Sequence, residues 1–153
     1  ITVKKTIPDV ECTLSDISSD ALELAADNSK SLKADVRIVQ SDLFEEFVDE
    51  KFDIIVSNPP YIRRADIDKL QTEVREFDPH LALDGGEDGL EFYRNIADEV
   101  QNYLKRSGYL ICEIGADQGK DVVKIFKEAG AVTARIIKDF TDKDSILEAR
   151  FDN

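Results

Sequence analysis

The stretch Val56-Ser57-Asn58-Pro59-Pro60-Tyr61-Ile62 decides how the rest of the chain is interpreted. It continues an apolar, β-branched run, residues 52–56, which is typical of a strand buried on both faces of a sheet. The two prolines cannot donate backbone hydrogen bonds, so they end the strand, and a proline also holds the residue before it in extended geometry. The sequence therefore predicts a rigid corner that presents an amide side chain, a backbone carbonyl and an aromatic ring.

Composition excludes several classes of protein. The chain has 153 residues and a net charge of −13, from 20 basic and 33 acidic residues. Nucleic-acid affinity depends on Lys and Arg, so we expect no nucleic-acid partner. Residues 1–153 show no signal-peptide pattern and no apolar run of membrane-spanning length, so we expect a cytoplasmic protein without a membrane partner. Cys12 and Cys112 are expected to be reduced thiols, and with His80 as the single histidine we expect no metal site.

Hydrophobic periodicity predicts strands that alternate with helices. The predicted strands are 11–16, 35–40, 52–57, 109–114, 132–138 and 145–151, and the predicted helices are 20–32, 65–74, 91–106 and 117–129. Such alternation indicates an α/β protein whose sheet is mostly parallel and covered by helices on both faces. Only a short turn separates the last two strands, which predicts a C-terminal antiparallel hairpin at one edge.

Two acidic residues follow predicted strands, where open α/β sheets bind their ligands. Asp16 could accept hydrogen bonds from ribose hydroxyls, and Asp42 could accept one from an adenine amine. Either residue alone is more often a helix cap or a turn former. Together with Asn58 at the next strand end, the two favour a nucleoside site, with Leu43 and Phe44 as an apolar wall for the base.

Residues 62–90 are longer than an ordinary connection, which suggests a functional lid. Gly85, Gly86 and Gly89 indicate special backbone geometry. The glycine-rich segment is acidic and lacks the lysine of a phosphate loop, so we interpret it as a shaped loop that borders the substrate channel. Five charged residues nearby are either contacts to substrate or partner, or merely exposed side chains: Arg63, Arg64, Glu73, Arg75 and Glu76.

The sequence resembles the class I S-adenosylmethionine-dependent methyltransferases. More narrowly, it is similar to the HemK/PrmC-like release factor glutamine methyltransferase family, which methylates the side-chain amide nitrogen (N5) of a glutamine in peptide chain release factors. The likeness covers essentially the whole chain. It rests on Ser15-Asp16-Ile17-Ser18 with the helix that follows, on Gln40-Ser41-Asp42, on the corner, and on Phe77 to Arg94. The Gly-Gly-Glu-Asp-Gly-Leu run in the last segment points to the glutamine-modifying branch.

The resemblance implies a Rossmann-like class I methyltransferase sheet with S-adenosylmethionine as cofactor and S-adenosylhomocysteine as product. It implies a peptide chain release factor as protein partner. The substrate amide would be held at Asn58, Pro59, Pro60 and Tyr61, with the Asn58 oxygen and the Pro59 carbonyl each accepting one N–H. The cofactor would contact Asp16, Ile17, Asp42, Leu43 and Asn58.

The chain departs from the family pattern at its beginning. In the family a central first strand and a Gly-rich loop precede the helix that Ile1-Thr2-Val3 resembles. We therefore expect residues 1–153 to form a single truncated catalytic domain, with the central first strand missing from this chain. A missing strand would leave backbone groups of its neighbours unpaired, so this stretch alone should bind the cofactor weakly.

Two other functions remain open from the sequence. The Asn-Pro-Pro-Tyr corner also occurs in nucleic-acid methyltransferases, where it would hold adenine N6 or guanine N2, and Tyr61 could stack on a flipped base. The other possibility is a non-catalytic, methyltransferase-like interaction module, which the missing Gly-rich loop would allow.

Overall fold

The computed structural model describes residues 1–152 and shows two compact units, Ile1–Asp49 and the chain from Glu50 onward, which we describe separately. The first unit contains α1 (Thr2–Thr6), β1 (Thr13–Asp16), α2 (Ser19–Leu32) and β2 (Arg37–Gln40). β1 and β2 pair in parallel, and α2 connects them. The helix begins where predicted because the Ser18 hydroxyl accepts a hydrogen bond from the Ala21 N–H.

The second unit contains four strands and three helices. They are β3 (Phe52–Ser57), α3 (Thr72–Phe77), α4 (Glu91–Tyr103), β4 (Leu104–Glu113), α5 (Gly119–Glu128), β5 (Thr133–Lys138) and β6 (Asp144–Arg150). Two short 3-10 helices, Arg64–Lys69 and His80–Ala82, lie between β3 and α4.

The four strands form one sheet in the order β3-β4-β6-β5. β3 and β4 are parallel, while β6 is antiparallel to both β4 and β5. Only β6 is therefore reversed, and the carboxyl ends of β3, β4 and β5 lie at the same edge of this sheet. The predicted α/β class and the C-terminal antiparallel hairpin are confirmed.

Helices cover one face of this sheet. α5 packs against β5 and β6, and α4 packs against β4. The alternate strand residues that face these helices are fully buried: Leu110, Cys112, Leu147 and Ala149. Burial of this apolar surface, together with Tyr93, Val100 and Phe126 of the helices, forms the core of the unit.

The expectation that residues 52–56 are buried on both faces is wrong. Side chains alternate between the two faces of a strand, and Ile55 lies in register with buried Leu110 on the helix-covered face. Ile54 and Val56 lie on the opposite face and are 56% and 72% exposed. β3 has a strand partner on one side only, because it is at the edge of its sheet.

Two predicted boundaries also need correction. The predicted helix 91–106 ends at Tyr103, because Leu104 already pairs with Phe52 of β3. The pairing is then irregular, since Phe52 lies opposite Leu104 but Ile54 lies opposite Tyr109, and Ser107, whose φ is +60°, belongs to the extra residues on β4. The predicted helix 65–74 is replaced by the 3-10 helix Arg64–Lys69 and by α3.

β1 and β2 pair only with each other, and the other four strands form the second sheet. That residues 1–153 form one domain lacking a central strand stays a prediction. Cys12 and Cys112 are both free thiols, with Cys112 buried and Cys12 half-buried. Within residues 1–152, no helix combines the length and the apolar character that crossing a membrane requires.

Candidate active site

The corner after β3 presents two hydrogen-bond acceptors. Asn58 is exposed, Pro59 is buried, and Tyr61 is half-buried. Among residues 1–152, no group donates a hydrogen bond to the Asn58 side chain or to the Pro59 carbonyl. Both acceptors belong to a segment whose prolines restrict the backbone. The corner therefore offers a rigid pair of acceptors that a planar NH2 group could bind.

The Tyr61 hydroxyl is fixed by the end of the neighbouring strand. It donates to Oε1 of Glu113 at 3.1 Å. The hydroxyl of the fully buried Tyr93 donates to the Glu113 carbonyl at 2.9 Å, which anchors the same residue from the core. Burial, and then the contact with the Glu113 carboxylate, raises the pKa of Tyr61, so the phenol stays neutral at physiological pH.

The glycine-rich loop lies directly behind the corner. The Ile62 N–H donates to the Leu83 carbonyl at 3.1 Å, and the Gly85 N–H donates to the Ile62 carbonyl at 2.8 Å. A Cβ at Gly85 would lie 2.8 Å from the Tyr61 Cα and 2.9 Å from the Pro60 carbonyl oxygen. The suggestion of a lid does not hold for this part of the excursion, because it is hydrogen-bonded to the corner and supports it.

Arg64 connects the corner to the same loop. Its Nε donates to Oδ2 of Asp84 at 2.9 Å, and its backbone N–H donates to the Gly86 carbonyl at 2.9 Å. The Arg64 guanidinium, followed by the hydrogen bond from the Gly86 N–H, lowers the pKa of Asp84. The structure therefore gives Arg64 an internal partner.

The other charged candidates lie on the surface. Arg63 pairs with Asp117 at 2.8 Å, and Arg75 pairs with Glu76 at 3.4 Å. Exposed ion pairs of this kind stabilise a protein by at most about 1 kcal/mol. Glu73 is exposed, and its proposed contact with substrate stays a prediction.

Gln118 was not identified from the sequence, yet its buried side chain is hydrogen-bonded to the corner. Its side chain bonds three backbone groups: Nε2 donates to the Tyr61 and Gly89 carbonyls, and Oε1 accepts from the Gly115 N–H, each at 3.0 Å. A single glutamine before a helix is typical of an exposed helix start, so the sequence carries no signal for this role.

The acidic candidates lie in the first unit. β1 and β2 are parallel neighbours with Asp16 opposite Gln40, so Asp16 and Asp42 both lie at the carboxyl edge of this small sheet. The Gln40 side chain donates to the Ile17 carbonyl at 3.0 Å, which fixes the turn after β1. Ile17, Asp42 and the half-buried Leu43 thus follow the two strand ends at the same edge as Asp16, and that they form one binding site stays a prediction.

The carboxylates of this group have acceptor oxygens that could hold an adenosine. Oδ1 of Asp16 accepts the Ser18 N–H at 2.8 Å. Within the described chain, the second Asp16 oxygen and both carboxylate oxygens of Asp42 accept no hydrogen bond. They remain available for ribose hydroxyls and an exocyclic amine. Phe44 is only 8% exposed, so Leu43 is the more accessible apolar contact of the two. In the described residues no cluster of metal ligands is present.

Comparisons with known proteins identify the family to which the chain is similar. Residues 1–87 match the family model of the methyltransferase small domain. The chain is 41% identical over 153 residues to a release factor glutamine methyltransferase of Clostridium acetobutylicum, which covers 97% of this chain and 54% of that protein. It is 46% identical over 138 residues to the release factor glutamine methyltransferase of Agrobacterium fabrum, and this alignment covers 89% of this chain and 47% of that protein. The chain thus spans about half the length of these curated relatives.

Solved structures show the same fold. A methyltransferase from Pyrococcus furiosus superposes on the chain with a TM-score of 0.72 at 16% identity, covering 99% of this chain and 68% of that one. At this identity the match supports the Rossmann-like methyltransferase fold.

Proposed function

The chain belongs to the methyltransferase small domain family, and from this premise we propose that the protein methylates the side-chain amide nitrogen (N5) of a glutamine in a peptide chain release factor. The observation that carries the proposal is the corner at the end of β3, where the Asn58 oxygen and the Pro59 carbonyl have no donor among the residues that the structure describes. The names of the relatives support the glutamine and the release factor as substrate. A cytoplasmic location belongs to the same proposal.

The corner would make an unreactive nitrogen reactive. The lone pair of an amide nitrogen is delocalised into its carbonyl, so the nitrogen is a weak nucleophile. If Asn58 and Pro59 each accept one N–H, the nitrogen is fixed in position and its pyramidal, more nucleophilic form is favoured as the transition state develops. Tyr61 would pack on the planar amide, with its hydroxyl held by Glu113.

The methyl donor would be held in the first unit. Asp16 and Asp42 would accept hydrogen bonds from the ribose and the adenine of S-adenosylmethionine, next to Ile17 and Leu43. When bound, the cofactor supplies an electrophilic methyl group. No strong base is required before transfer, because the amide proton becomes acidic only after methylation and can then leave to solvent.

A transfer assay tests this function. The natural full-length protein is incubated with methyl-labelled S-adenosylmethionine and, separately, with a release factor, duplex DNA and ribosomal RNA. We expect label in the release factor. Label in nucleic acid with none in the release factor would instead support an amine methyltransferase of nucleic acids, and no label in any acceptor would support a non-catalytic module.

A further inference from the structure

The carboxamide of Gln118 is buried, and all three of its hydrogen bonds are to backbone groups. Gln118 is 2% exposed, and only it and Ser41 are buried polar residues in the described chain. Both Nε2 hydrogens are used, one for the Tyr61 carbonyl and one for the Gly89 carbonyl, while Oε1 accepts the Gly115 N–H. One side chain thus joins the corner, the glycine-rich loop and the loop after β4.

The corner needs a donor from outside its own sequence. Pro59 and Pro60 have no N–H, so neither residue can donate a backbone hydrogen bond that would hold the corner. The corner is therefore held through its carbonyls, through the Tyr61 hydroxyl, which donates to Glu113, and through the residues that follow it. Gln118 provides that donor to the Tyr61 carbonyl, one residue after the prolines.

The neighbouring loops are shaped around this side chain. A Cβ at Gly89 would lie 2.7 Å from Nε2 of Gln118, and a Cβ at Gly115 would lie 2.7 Å from its Oε1. Gly89 also has a φ of +76°, which side-chain-bearing residues rarely adopt. Both glycines therefore allow the backbone to approach the amide closely, which indicates that the position of this side chain is tightly determined.

We propose that Gln118 is a positioning residue for amide methylation, which holds the Asn58–Tyr61 corner in its reactive geometry through the Tyr61 carbonyl. The role in methylation rests on the function proposed above. Because a displacement of about 1 Å in a reacting group can cost roughly 10²-fold in rate, losing this anchor should act on the methyl-transfer step.

The informative variant is Gln118→Glu in the natural full-length protein. Its carboxylate has nearly the same shape and can still accept the Gly115 N–H, but it turns an acceptor toward two carbonyls that require a donor. We expect kcat to fall roughly 10²-fold while the KM for S-adenosylmethionine stays within about twofold. Gln118→Met, which removes both donor and acceptor, should also lower kcat and leave the KM for S-adenosylmethionine nearly unchanged. It provides a second variant if the first does not fold.

Val122→Ala is the matched control. Val122 is fully buried one turn further along α5 and makes no hydrogen bond to the corner, so its truncation destabilises the same helix by leaving a cavity. We expect its kcat to remain at the wild-type level at a temperature where the protein is folded. An equal fall in kcat for Val122→Ala and the Gln118 variants would reduce Gln118 to a purely structural role and overturn the proposal.

Amide hydrogen exchange provides a readout that does not depend on activity. The Ile62 and Gly85 N–H groups bond within the corner and its supporting loop. Their exchange rates should be higher in the Gln118 variants than in the wild type, and should be unchanged in Val122→Ala. Unchanged exchange and unchanged kcat in Gln118→Glu would overturn the proposal. If the wild-type protein methylates no glutamine, the function proposed above fails, while exchange still decides whether Gln118 holds the corner.

Discussion

Asn58 is the exposed polar side chain of the corner, and its contribution can be measured without disturbing the fold. Asn58→Ala removes one of the two acceptors for the substrate amide. We expect kcat to fall by at least roughly 10²-fold, the usual cost of losing one transition-state hydrogen bond. The free energy of unfolding should change by less than about 0.5 kcal/mol, because no internal partner is lost. Steady-state kinetics and urea unfolding measure the two effects.

Asn95→Ala is the control for this substitution. Asn95 is exposed on α4, so the same side chain is removed away from the corner. Its kinetics should match those of the wild type. A near-normal kcat for Asn58→Ala would show that the Asn58 amide is not required for methyl transfer.

Gly85 tests the support behind the corner. In Gly85→Ala the new Cβ would lie 2.8 Å from the Tyr61 Cα and 2.9 Å from the Pro60 carbonyl oxygen, and neither backbone atom can move without shifting the corner. We expect a destabilisation of about 1–3 kcal/mol, as for other overpacked sites, together with a loss of kcat. Urea unfolding and transfer kinetics on the same sample measure both.

Gly130→Ala separates backbone strain from the effect on the corner. Gly130 has a φ of +95°, and its added Cβ would meet nothing closer than Oε1 of Gln101, at 3.5 Å. This variant should lose about 1–2 kcal/mol through the strained φ and keep its kcat. If both glycine variants kept full activity, the glycine-rich loop would not be the support that the hydrogen bonds indicate.

Local chemistry explains which residues the sequence could identify. The corner was predictable because two prolines restrict their own backbone, and the glycines because their run signals unusual φ values. Gln118 and Glu113 were not predictable as corner contacts, because their partners lie 57 and 52 residues away in the chain. The sequence shows a polar residue at each position but not the group it bonds.

At the scale of elements, β4 carries a buried thiol that makes stability depend on pH. Burial raises the pKa of Cys112 from an ordinary value near 9 to about 12. Below pH 9 both folded and unfolded states keep the proton. As pH rises above 9 the unfolded state ionises first, so stability is lost as pH rises toward the folded pKa. We expect a loss of about 1 kcal/mol between pH 9 and 10, measured by urea unfolding.

Cys112→Ala is the control for this dependence. The variant is less stable at every pH because of its cavity, but its stability should change less between pH 9 and 10 than that of the wild type. Tyr61 and Tyr93, whose pKa values are also raised, begin to contribute near pH 10, where an unfolded tyrosine ionises, and they do so equally in both proteins. The difference between the two slopes therefore reports Cys112. Identical slopes for the two proteins would exclude Cys112 as the source.

The helices and strands were largely predictable from the sequence, but where each one begins and ends was less so. Apolar, β-branched runs and 3.6-residue periodicity correctly predicted all six strands and the helices α2, α4 and α5. The end of α4 and the exposure of Val56 were missed. Both depend on strand pairing and helix packing between distant segments, which local patterns do not contain.

At the scale of the whole molecule, the two candidate sites belong to different units. The acids that we propose for adenosine lie in Ile1–Asp49, and the corner that we propose for the amide follows Glu50. The chain spans about half the length of its curated relatives, so methyl transfer is a property to test in the natural full-length protein. The net charge of −13 disfavours nucleic acid as its acceptor.

The most direct test of the central claim is tandem mass spectrometry of a release factor treated with the full-length protein and S-adenosylmethionine. We predict the added mass of one methyl group on the side-chain amide of a glutamine, with the modification absent when Asn58→Ala replaces the wild-type enzyme. A methyl group on another type of residue, or an equally modified glutamine with Asn58→Ala, would contradict the claim that the corner holds a glutamine amide for methylation.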